Sequence, residues 1–212
     1  MIKILNLYAG IGGNRLHWGE IECNLDITAV EIDSYIAEIY QDFFPEDKVI
    51  IADAHEYLEK NYNKYDIIWS SPPCPTHSGI RKHMTVYTGQ SDPKYPDMDL
   101  YAEILFLDGY FDGDWVVENV KSWYEPLIEP QVIDRHYFWS NKTIPKIKVD
   151  RKNEIRNLNV TETQKELGID LSKYKNIDKR KALRSCVNPK VGKHILETLI
   201  DDKQMTLDQI RG

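Results

Sequence analysis

The sequence contains no long apolar run, so it offers no candidate for a membrane-spanning helix. None of its apolar stretches approaches the roughly 20 residues that a helix needs to cross a bilayer. The first segment, Ile2–Leu7, has the apolar pattern of a buried strand rather than the organisation of a signal peptide. We expect a cytoplasmic protein without a membrane partner, built as one domain with at most a small appendage.

Cysteine is also scarce, with only Cys23, Cys74 and Cys186 among 212 residues. An odd number of cysteines without a CxxC spacing argues against both a disulfide framework and a zinc site. The six histidines do not fall at metal-ligand spacing, and we therefore expect no metal. The thiols should be reduced, which leaves at least one of them available for chemistry.

Positive charge is rare over most of the chain and concentrated near its end. Residues 1–140 contain 10 Lys/Arg and 24 Asp/Glu, a net charge of −14. Residues 141–193 contain 15 Lys/Arg and 6 Asp/Glu, a net charge of +9. This distribution fits a protein that binds phosphate groups through its basic segment, although a solvated surface has the same composition.

The first 120 residues alternate strand and helix patterns, which predicts an α/β fold with a mostly parallel sheet. The strand patterns are Ile2–Leu7, Leu25–Glu31, Val49–Ala52, Tyr65–Ser70 and Trp115–Glu118. The helix patterns are Asn14–Ile21, Ser34–Phe44, Ala54–Asn61 and Met98–Asp108. Further along we expect strands at Val132–Ser140 and Thr143–Val149 with a hairpin near Asn141, and helices at Thr161–Leu167 and Val191–Leu199. Residues 71–96 have no periodicity and read as a long functional loop.

Polar residues follow successive strands of this sheet, where α/β proteins bind their ligands. A glycine-rich turn, Tyr8–Gly13, follows the first strand and allows a close approach of backbone to ligand. Glu31 ends the second strand, where a carboxylate can accept hydrogen bonds from ribose hydroxyls. Asp53 follows the third strand and could accept from an adenine amine. Together these residues describe an adenosine pocket.

Two further groups follow the fourth and fifth strands. Pro72 and Pro73 stiffen the backbone before Cys74, and Pro75 follows it, a rigid mount that suits a nucleophile. A neighbouring cation would favour the thiolate. The candidates for this role are Arg81, Lys82 and Arg135. Glu118 ends an apolar strand, where burial would raise its pKa and allow it to donate a proton.

In this order Tyr8–Gly13, Pro72–Cys74 and Glu118–Val120 resemble the glycine-rich, Pro-Cys and Glu-Asn-Val motifs of the cytosine-C5 DNA methyltransferase family. Arg184–Pro189 is similar to the last motif of that family, which completes the cofactor pocket. The resemblance covers most of the chain except about residues 141–183. It implies a Rossmann-like S-adenosylmethionine-dependent methyltransferase fold with a small basic C-terminal subdomain.

The resemblance also implies the domains and the site residues. Residues 1–140 would form the catalytic domain, 141–183 a short target-recognition segment, and 184–212 a segment that returns to the catalytic domain. The implied catalytic residues are Cys74, Glu118, Asn119 and Arg135. The implied cofactor-binding residues are Tyr8, Ala9, Gly10, Gly12, Gly13, Glu31, Ile32, Asp53, Ala54, Pro72, Leu100, Ser185, Cys186 and Val187.

The implied reaction is transfer of a methyl group from S-adenosylmethionine to C5 of a cytosine in duplex DNA. Cys74 would add covalently to C6, Glu118 would stabilise protonated N3, and Arg135 would bind the O2 side. The cytosine must be flipped out of the helix, and residues 75–96 would close over it. The alternatives are a tRNA cytosine-5 methyltransferase and a non-catalytic nucleic-acid-binding relic of the fold. A dehydrogenase is disfavoured because the GxGxxG turn is absent.

The chain departs from the family most clearly in its short recognition segment. We therefore expect it to read little sequence, with affinity supplied mainly by phosphate contacts. A compact, monomeric enzyme of this kind fits a bacterium or a phage-infected cell, where methylation protects DNA from restriction. Smaller departures are Asn6 where the family commonly has Asp, Ile133 in place of a motif arginine, and Arg184-Ser185 in place of Gly-Asn.

Overall fold

The computed structural model describes residues 1–149 and 158–211, with residues 202–211 as backbone only. In these residues seven strands form one sheet in the order β3-β2-β1-β4-β5-β7-β6. The strands are β1 (Ile2–Leu7), β2 (Leu25–Glu31), β3 (Lys48–Ile51), β4 (Ile67–Ser70), β5 (Asp114–Val120), β6 (Gln131–Ile133) and β7 (His136–Ser140). The first five pair in parallel, while β7 runs antiparallel to β5 and β6. The mostly parallel α/β fold that we expected is confirmed.

Helices cover both faces of this sheet. They are α1 (Ser34–Phe43), α2 (Ala54–Asn61), α3 (Gly79–Val86), α4 (Asp99–Tyr110), α5 (Val160–Leu167), α6 (Lys179–Arg184) and α7 (Pro189–Arg211). Successive residues of a strand point to opposite faces, and β1 shows this directly. Ile4 packs in one apolar cluster with Ile195 of α7, whereas Leu5 packs in another with Leu58 of α2 and Leu107 of α4.

The order of the strands places a crevice between β1 and β4. From β1 the chain continues to β2 and β3 on one side of the sheet, whereas β4 and β5 lie on the other. At such a switch point the loops leave adjacent strands in opposite directions, and a ligand crevice opens at the carboxyl ends. Leu7 at the end of β1 lies opposite Ser70 at the end of β4. The segments that begin with Tyr8 and Ser71 therefore start side by side.

The basic segment packs against the sheet domain through α1. Leu167 of α5 and Leu183 of α6 share an apolar cluster with Ile39 of α1 and with Ile11 of the glycine-rich turn. Residues 150–157 of the expected recognition segment lie outside the described residues. No helix within the described residues has both the length and the apolar character needed to cross a membrane.

Two expectations about the first hundred residues were wrong. Residues 14–21 form turns and a short 3-10 helix, Trp18–Glu20, rather than an α-helix. Buried tertiary contacts override the helical pattern there, because Arg15 pairs with Asp47 and the Trp18 indole donates to the carbonyl of Gly192. The long loop also contains helix α3, whose first turn is capped by the hydroxyl of Ser78.

The strands expected after residue 130 also differ. Asp134 adopts a φ of 55°, which divides Val132–Ser140 into the hairpin β6–β7 and moves the turn away from Asn141. Residues 143–149 form no strand. Their place beside β6 is held by the Gln131 side chain, which donates to the carbonyl of Lys142 and accepts from the amide of Ile144. These side-chain hydrogen bonds replace a backbone ladder.

Candidate active site

A cleft of about 610 Å³ opens at the carboxyl ends of β1, β4 and β5, a volume typical of small-molecule sites. Four segments meet there: the glycine-rich turn, the Pro-Pro-Cys segment, the end of β5, and the chain from α6 to the start of α7. The expected site residues that line the cleft are Tyr8, Ala9, Gly10, Gly13, Pro72, Cys74, Glu118, Asn119, Arg135, Ser185, Cys186 and Val187.

The lining of this cleft does not include six of the expected cofactor residues, namely Gly12, Glu31, Ile32, Asp53, Ala54 and Leu100. A Cβ atom on Gly12 would lie 2.2 Å from the ring of Phe44, so this glycine serves the packing behind the turn. Ala54 and Leu100 are buried in the apolar cluster with α2 and α4. Ile32, by contrast, is 67% exposed at the end of β2.

Glu31 and Asp53 each accept hydrogen bonds from backbone amides near the end of a strand. Glu31 accepts hydrogen bonds from the amides of Gly10 at 2.9 Å and Asp33 at 3.0 Å. Asp53 caps α2 by accepting from the amide of Glu56 at 3.0 Å. Each carboxylate retains lone pairs that can accept from a hydroxyl or an amine. Glu31 therefore contacts the lining of the cleft through its hydrogen bond with Gly10.

The glycine-rich turn leaves room for a ligand. Gly10 has a φ of 55°, a conformation that favours glycine, and a Cβ atom added to it would meet nothing within 4 Å. The backbone at Gly10 therefore borders open space. Gly13 on the other side of the turn is tightly packed, because a Cβ atom there would lie 2.5 Å from the Cβ atom of Cys186. The turn thus packs against the last motif on one side and borders open space on the other.

The backbone on both sides of Cys74 is firmly held. The side-chain amide of Asn119, a residue 1% exposed, donates to the carbonyl of Pro72 at 3.0 Å. The carbonyl of Cys74 accepts from the amides of His77 and Ser78, both at 3.1 Å. Asn119 therefore contacts the mount of the thiol, and its geometry is that of a positioning residue.

The loop after Cys74 is anchored to the loop after β5. The amide of Trp123 donates to the carbonyl of His77, and the Trp123 indole donates to the carbonyl of Thr76. His77 Nδ1 lies 2.6 Å from the hydroxyl of Tyr124, and the Lys82 ammonium lies 4.7 Å from the centroid of the Trp123 ring. These contacts fix residues 76–78, so any closure over the cleft must occur beyond them, in α3 and the residues that follow it.

Burial raises the pKa of the Cys74 thiol, and the negative charge of Glu118 raises it further. The hydrogen-bonding environment of the backbone and the charges of Arg135 and Lys181 act in the opposite direction. Of the cations suggested by the sequence, Arg135 thus acts on the thiol, while Arg81 donates to the carbonyl of Asp92 and Lys82 lies over Trp123. Lys181 was missed because it is distant in sequence from the motif.

Glu118 is a buried carboxyl group whose pKa burial raises to about 7, against a hydrogen bond with Ser71 and the charge of Arg135. It is 7% exposed, and its Oε1 lies 3.7 Å from Nε2 of the equally buried His136. Near neutral pH both its protonated and its ionised forms are therefore populated. A group of this kind can hold a proton for a substrate atom or release it.

Arg135 links the end of the sheet to the last motif. Its guanidinium donates to the carbonyls of Cys186 at 3.2 Å and Arg184 at 3.4 Å, and it lines the cleft. On the same side α6 brings Arg180 and Lys181 to the cleft lining. Asp178 caps this helix by accepting from the amide of Lys181. Sequence reasoning could have found α6 from this capping residue ahead of a basic run.

The sheet order and the cleft at its switch point define a Rossmann-like α/β fold with a ligand site at the carboxyl ends of its strands. Residues 2–105, just under half of the chain, match the family model described as C-5 cytosine-specific DNA methylase, in agreement with the resemblance of the motifs. This match implies S-adenosylmethionine as the cofactor, and the open space beside Gly10 can accommodate a ligand of this kind.

The chain is also similar to individual methyltransferases. The chain is 31% identical over 137 residues to the tRNA (cytosine(38)-C(5))-methyltransferase of Spodoptera frugiperda, which is 63% of this chain and 40% of that protein. It therefore spans about two fifths of the length of this curated relative. The structure of the Entamoeba histolytica methyltransferase EhMeth aligns with a TM-score of 0.57 at 13% identity, over 95% of this chain and 98% of that chain. The Spodoptera frugiperda DNMT2 structure aligns with a TM-score of 0.47 at 22% identity, over 71% of this chain and 54% of that chain.

Proposed function

We propose that this chain transfers a methyl group from S-adenosylmethionine to C5 of a cytosine in nucleic acid, through a covalent adduct with Cys74. One observation carries the proposal: the thiol of Cys74, the carboxyl group of Glu118 and the open cradle at Gly10 line the same cleft. A nucleophile, a proton donor and a donor pocket are the three components that this reaction needs.

Cys74 supplies the nucleophile. C5 of cytosine is itself a poor nucleophile, and addition of the thiolate to C6 makes it reactive by forming the S–C6 bond. The electron pair of the C5–C6 bond becomes available at C5, while the proton on N3 neutralises the charge that would otherwise build on the ring. When bound, the cofactor would supply an electrophilic methyl group, so that a C5–CH3 bond forms while the S–CH3 bond breaks and S-adenosylhomocysteine leaves. Loss of the C5 proton to solvent then restores the double bond and expels the thiolate.

Glu118 is the group that holds the proton at N3. Because its pKa is raised to about 7, the protonated form is accessible at neutral pH, where an ordinary glutamate would be ionised. Arg135 would bind the O2 side of the ring, and its charge also favours the thiolate of Cys74. Asn119 acts through the Pro72 carbonyl by keeping the thiol segment in place.

The cofactor would be held from two sides of the cleft. The Tyr8–Gly10 backbone forms one side and Ser185–Val187 the other. Glu31 and Asp53 lie at the carboxyl ends of neighbouring strands, where their unused lone pairs can accept from the ribose and the adenine. Residues 1–140 would thus supply the catalytic domain, and residues 184–212 would return to complete its pocket.

Nucleic acid would be gripped by the segment 141–183 and the start of the last motif. Helix α6 presents Arg180 and Lys181 at the mouth of the same cleft that holds Cys74, and neither side chain is buried. A cation there can bind a phosphate that flanks a flipped cytosine. Because this segment is short, its contacts would position the backbone and read little sequence.

DNA is the substrate that we propose first, because the matching family model is one of DNA methylases. RNA is the second candidate, favoured by the relative whose name specifies cytosine 38 of a tRNA. Parallel methylation assays on duplex DNA, single-stranded DNA and tRNA separate the two. Activity confined to tRNA would contradict the DNA proposal and leave the chemistry intact.

A mechanism-based trap tests the chemistry. Fluorine at C5 of cytosine replaces the proton that must leave, so the adduct with Cys74 persists. With 5-fluorocytosine in DNA or RNA and S-adenosylmethionine, we expect a covalent complex that survives denaturing electrophoresis. Cys74→Ala should give none, and Cys23→Ala, which removes a thiol outside the cleft, should give the wild-type yield. A wild-type chain that binds nucleic acid without trapping would instead be a non-catalytic relic.

A further inference from the structure

A cluster of polar side chains around one buried carboxyl group lies at the carboxyl ends of β1 and β4 and has no part in the reaction steps above. Its centre is Glu103 of α4, which is 0% exposed. The Tyr8 hydroxyl donates to its Oε1 at 2.5 Å, and the Ser70 hydroxyl donates to its Oε2 at 2.6 Å. His55 Nδ1 lies 3.0 Å from Oε1. A buried carboxylate is tolerated only with partners of this kind.

Two of the partners of Glu103, Tyr8 and Ser70, lie where two segments that line the cleft begin. Tyr8 is the first residue after β1 and opens the glycine-rich turn. Ser70 is the last residue of β4 and precedes the segment that carries Cys74. Since β1 and β4 are adjacent, the Glu103 carboxylate can contact the start of both segments. One of its oxygens accepts from Tyr8 and the other accepts from Ser70.

The backbone conformation of Tyr8 makes its hydrogen bond with Glu103 important for the glycine-rich turn. Its φ of 54° lies in the left-handed region, which residues other than glycine rarely adopt. The turn can therefore begin at Tyr8 only if other contacts keep its side chain in place. The hydrogen bond to Glu103 is such a contact, and Tyr8 also lines the cleft.

Burial and hydrogen bonding act in opposite directions on the pKa values of Glu103 and His55. Burial raises the pKa of this carboxyl group, and the hydrogen bonds from Ser70, Tyr8 and His55 oppose that effect. Burial alone would lower the pKa of His55, but its hydrogen bond with Glu103 and the negative charge there outweigh burial and raise it. The imidazole thus completes a carboxylate site that also contains two hydroxyl donors.

We propose that Glu103 is a positioning residue that sets the cofactor turn at Tyr8 and the Cys74 segment relative to each other. Loss of its carboxylate should weaken cofactor binding and alter the reactivity of the thiol together. The first of these effects rests on the proposed function, and the second does not, because the reactivity of Cys74 can be measured without cofactor or substrate.

The test compares Glu103→Gln with Asp108→Asn, which removes an exposed charge from the same helix. Cofactor affinity is measured by calorimetric titration with S-adenosylmethionine. We expect Glu103→Gln to weaken it about tenfold, as for the loss of a hydrogen bond to a charged group, and Asp108→Asn to leave it unchanged. Alkylation of Cys74 by iodoacetamide, followed by peptide mass spectrometry, should be about threefold faster in Glu103→Gln because a loosened segment exposes the thiol.

Two further variants each remove one of the hydroxyl groups that donate to Glu103. They also take the place of Glu103→Gln if that variant does not fold. Tyr8→Phe should weaken cofactor binding with less effect on alkylation, and Ser70→Ala should accelerate alkylation with less effect on cofactor binding. A purely structural role would lower the melting temperature of the variants and move neither measurement in this pattern.

The outcomes distinguish the two proposals. If folded Glu103→Gln matches the wild type in either measurement, the positioning role is wrong. For the replacement variants, the role is wrong if Tyr8→Phe leaves cofactor binding unchanged or if Ser70→Ala leaves the alkylation rate unchanged. If the wild type itself fails to bind S-adenosylmethionine, the proposed function is wrong, and the alkylation rates alone then decide on Glu103.

Discussion

At the scale of single residues, the chemistry of the cleft depends on two groups that burial pushes toward their neutral forms. The pKa of Glu118 is raised to about 7, and the pKa of Cys74 is raised as well. In the proposed reaction the raised pKa favours the role of Glu118, because its carboxyl group would carry a proton at N3. The raised pKa disfavours the role of Cys74, because the thiolate would be the nucleophile. Arg135 and Lys181 offset part of that effect, which explains why cations belong in this pocket.

Glu118 should make the stability of the protein depend on pH. Its pKa is about 7 in the folded chain against 4.5 for an ordinary glutamate, so ionisation opposes folding as the pH rises from 4.5 through 7. Glu118→Gln removes this effect. Its free energy of unfolding relative to wild type should therefore increase by about 3 kcal/mol between pH 4.5 and pH 8, measured by urea unfolding.

The control for this experiment is Glu125→Gln, which removes an exposed carboxylate from the loop after β5. It measures the effect of losing one negative charge near the surface. A difference between Glu118→Gln and wild type that is the same at pH 4.5 and at pH 8 would show that Glu118 ionises as it does in the unfolded chain.

The sequence predicts single residues well where a short motif holds them together. Cys74 and Glu118 each stand in such a motif, and both line the cleft. Lys181 and Glu103 could not be found in this way. Lys181 reaches the thiol through the packing of α6, and Glu103 reaches Tyr8 across 95 residues of chain. Contacts of this range depend on the complete fold and leave no local pattern.

At the scale of elements, the fit of α7 against the glycine-rich turn depends on a glycine inside the helix. A Cβ atom on Gly192 would lie 2.3 Å from the backbone oxygen of Asn14, and the carbonyl of Gly192 accepts from the Trp18 indole at 3.2 Å. Asn14 lines the cleft. The helix that returns to the domain therefore contacts backbone that directly shapes the site.

Gly192→Ala tests whether steric fit outweighs helix propensity. Alanine favours a helix over glycine by about 1 kcal/mol, whereas overlap with backbone in a packed interior costs about 1–3 kcal/mol or more. We expect a net loss of about 2 kcal/mol in the free energy of unfolding, measured by urea denaturation, together with weaker binding of S-adenosylmethionine.

Gly109→Ala is the matched control, because Gly109 also lies inside a helix but a Cβ atom there meets nothing within 4 Å. It should stabilise the protein by up to about 1 kcal/mol. Equal stabilisation by both substitutions would mean that α7 can shift away from Asn14 at no cost.

Elements were predictable from sequence where one local pattern settles the structure. The strands β1 and β2 and the end of α5 at Gly168, which has a φ of 71°, are of this kind. The prediction was wrong where long-range contacts decide. The turns after Gly13 follow the buried Arg15–Asp47 pair, and the hairpin β6–β7 follows the left-handed backbone of Asp134.

At the scale of the whole molecule, the fold brings the two oppositely charged parts of the chain together at one place. Residues 1–140 carry a net charge of −14 and residues 141–193 a net charge of +9. The apolar cluster that joins α5 and α6 to α1 orients the basic helix toward the mouth of the cleft. In the proposed function, the acidic surface would repel nucleic acid elsewhere and direct productive binding to the side that holds Cys74.

This arrangement predicts binding of nucleic acid that depends strongly on salt and specifically on α6. Each phosphate contact contributes a slope of about −0.9 to the dependence of log affinity on log salt concentration for duplex DNA. The double variant Arg180→Gln/Lys181→Gln should therefore bind more weakly and reduce this slope by about 2, measured by fluorescence anisotropy between about 50 and 300 mM salt. Lys60→Gln/Lys64→Gln, which removes the same charge from the part of the chain around α2, should leave the slope unchanged. Equal slopes for both double variants would show that α6 does not contact the phosphates, and a wild-type affinity insensitive to salt would exclude a phosphate grip altogether.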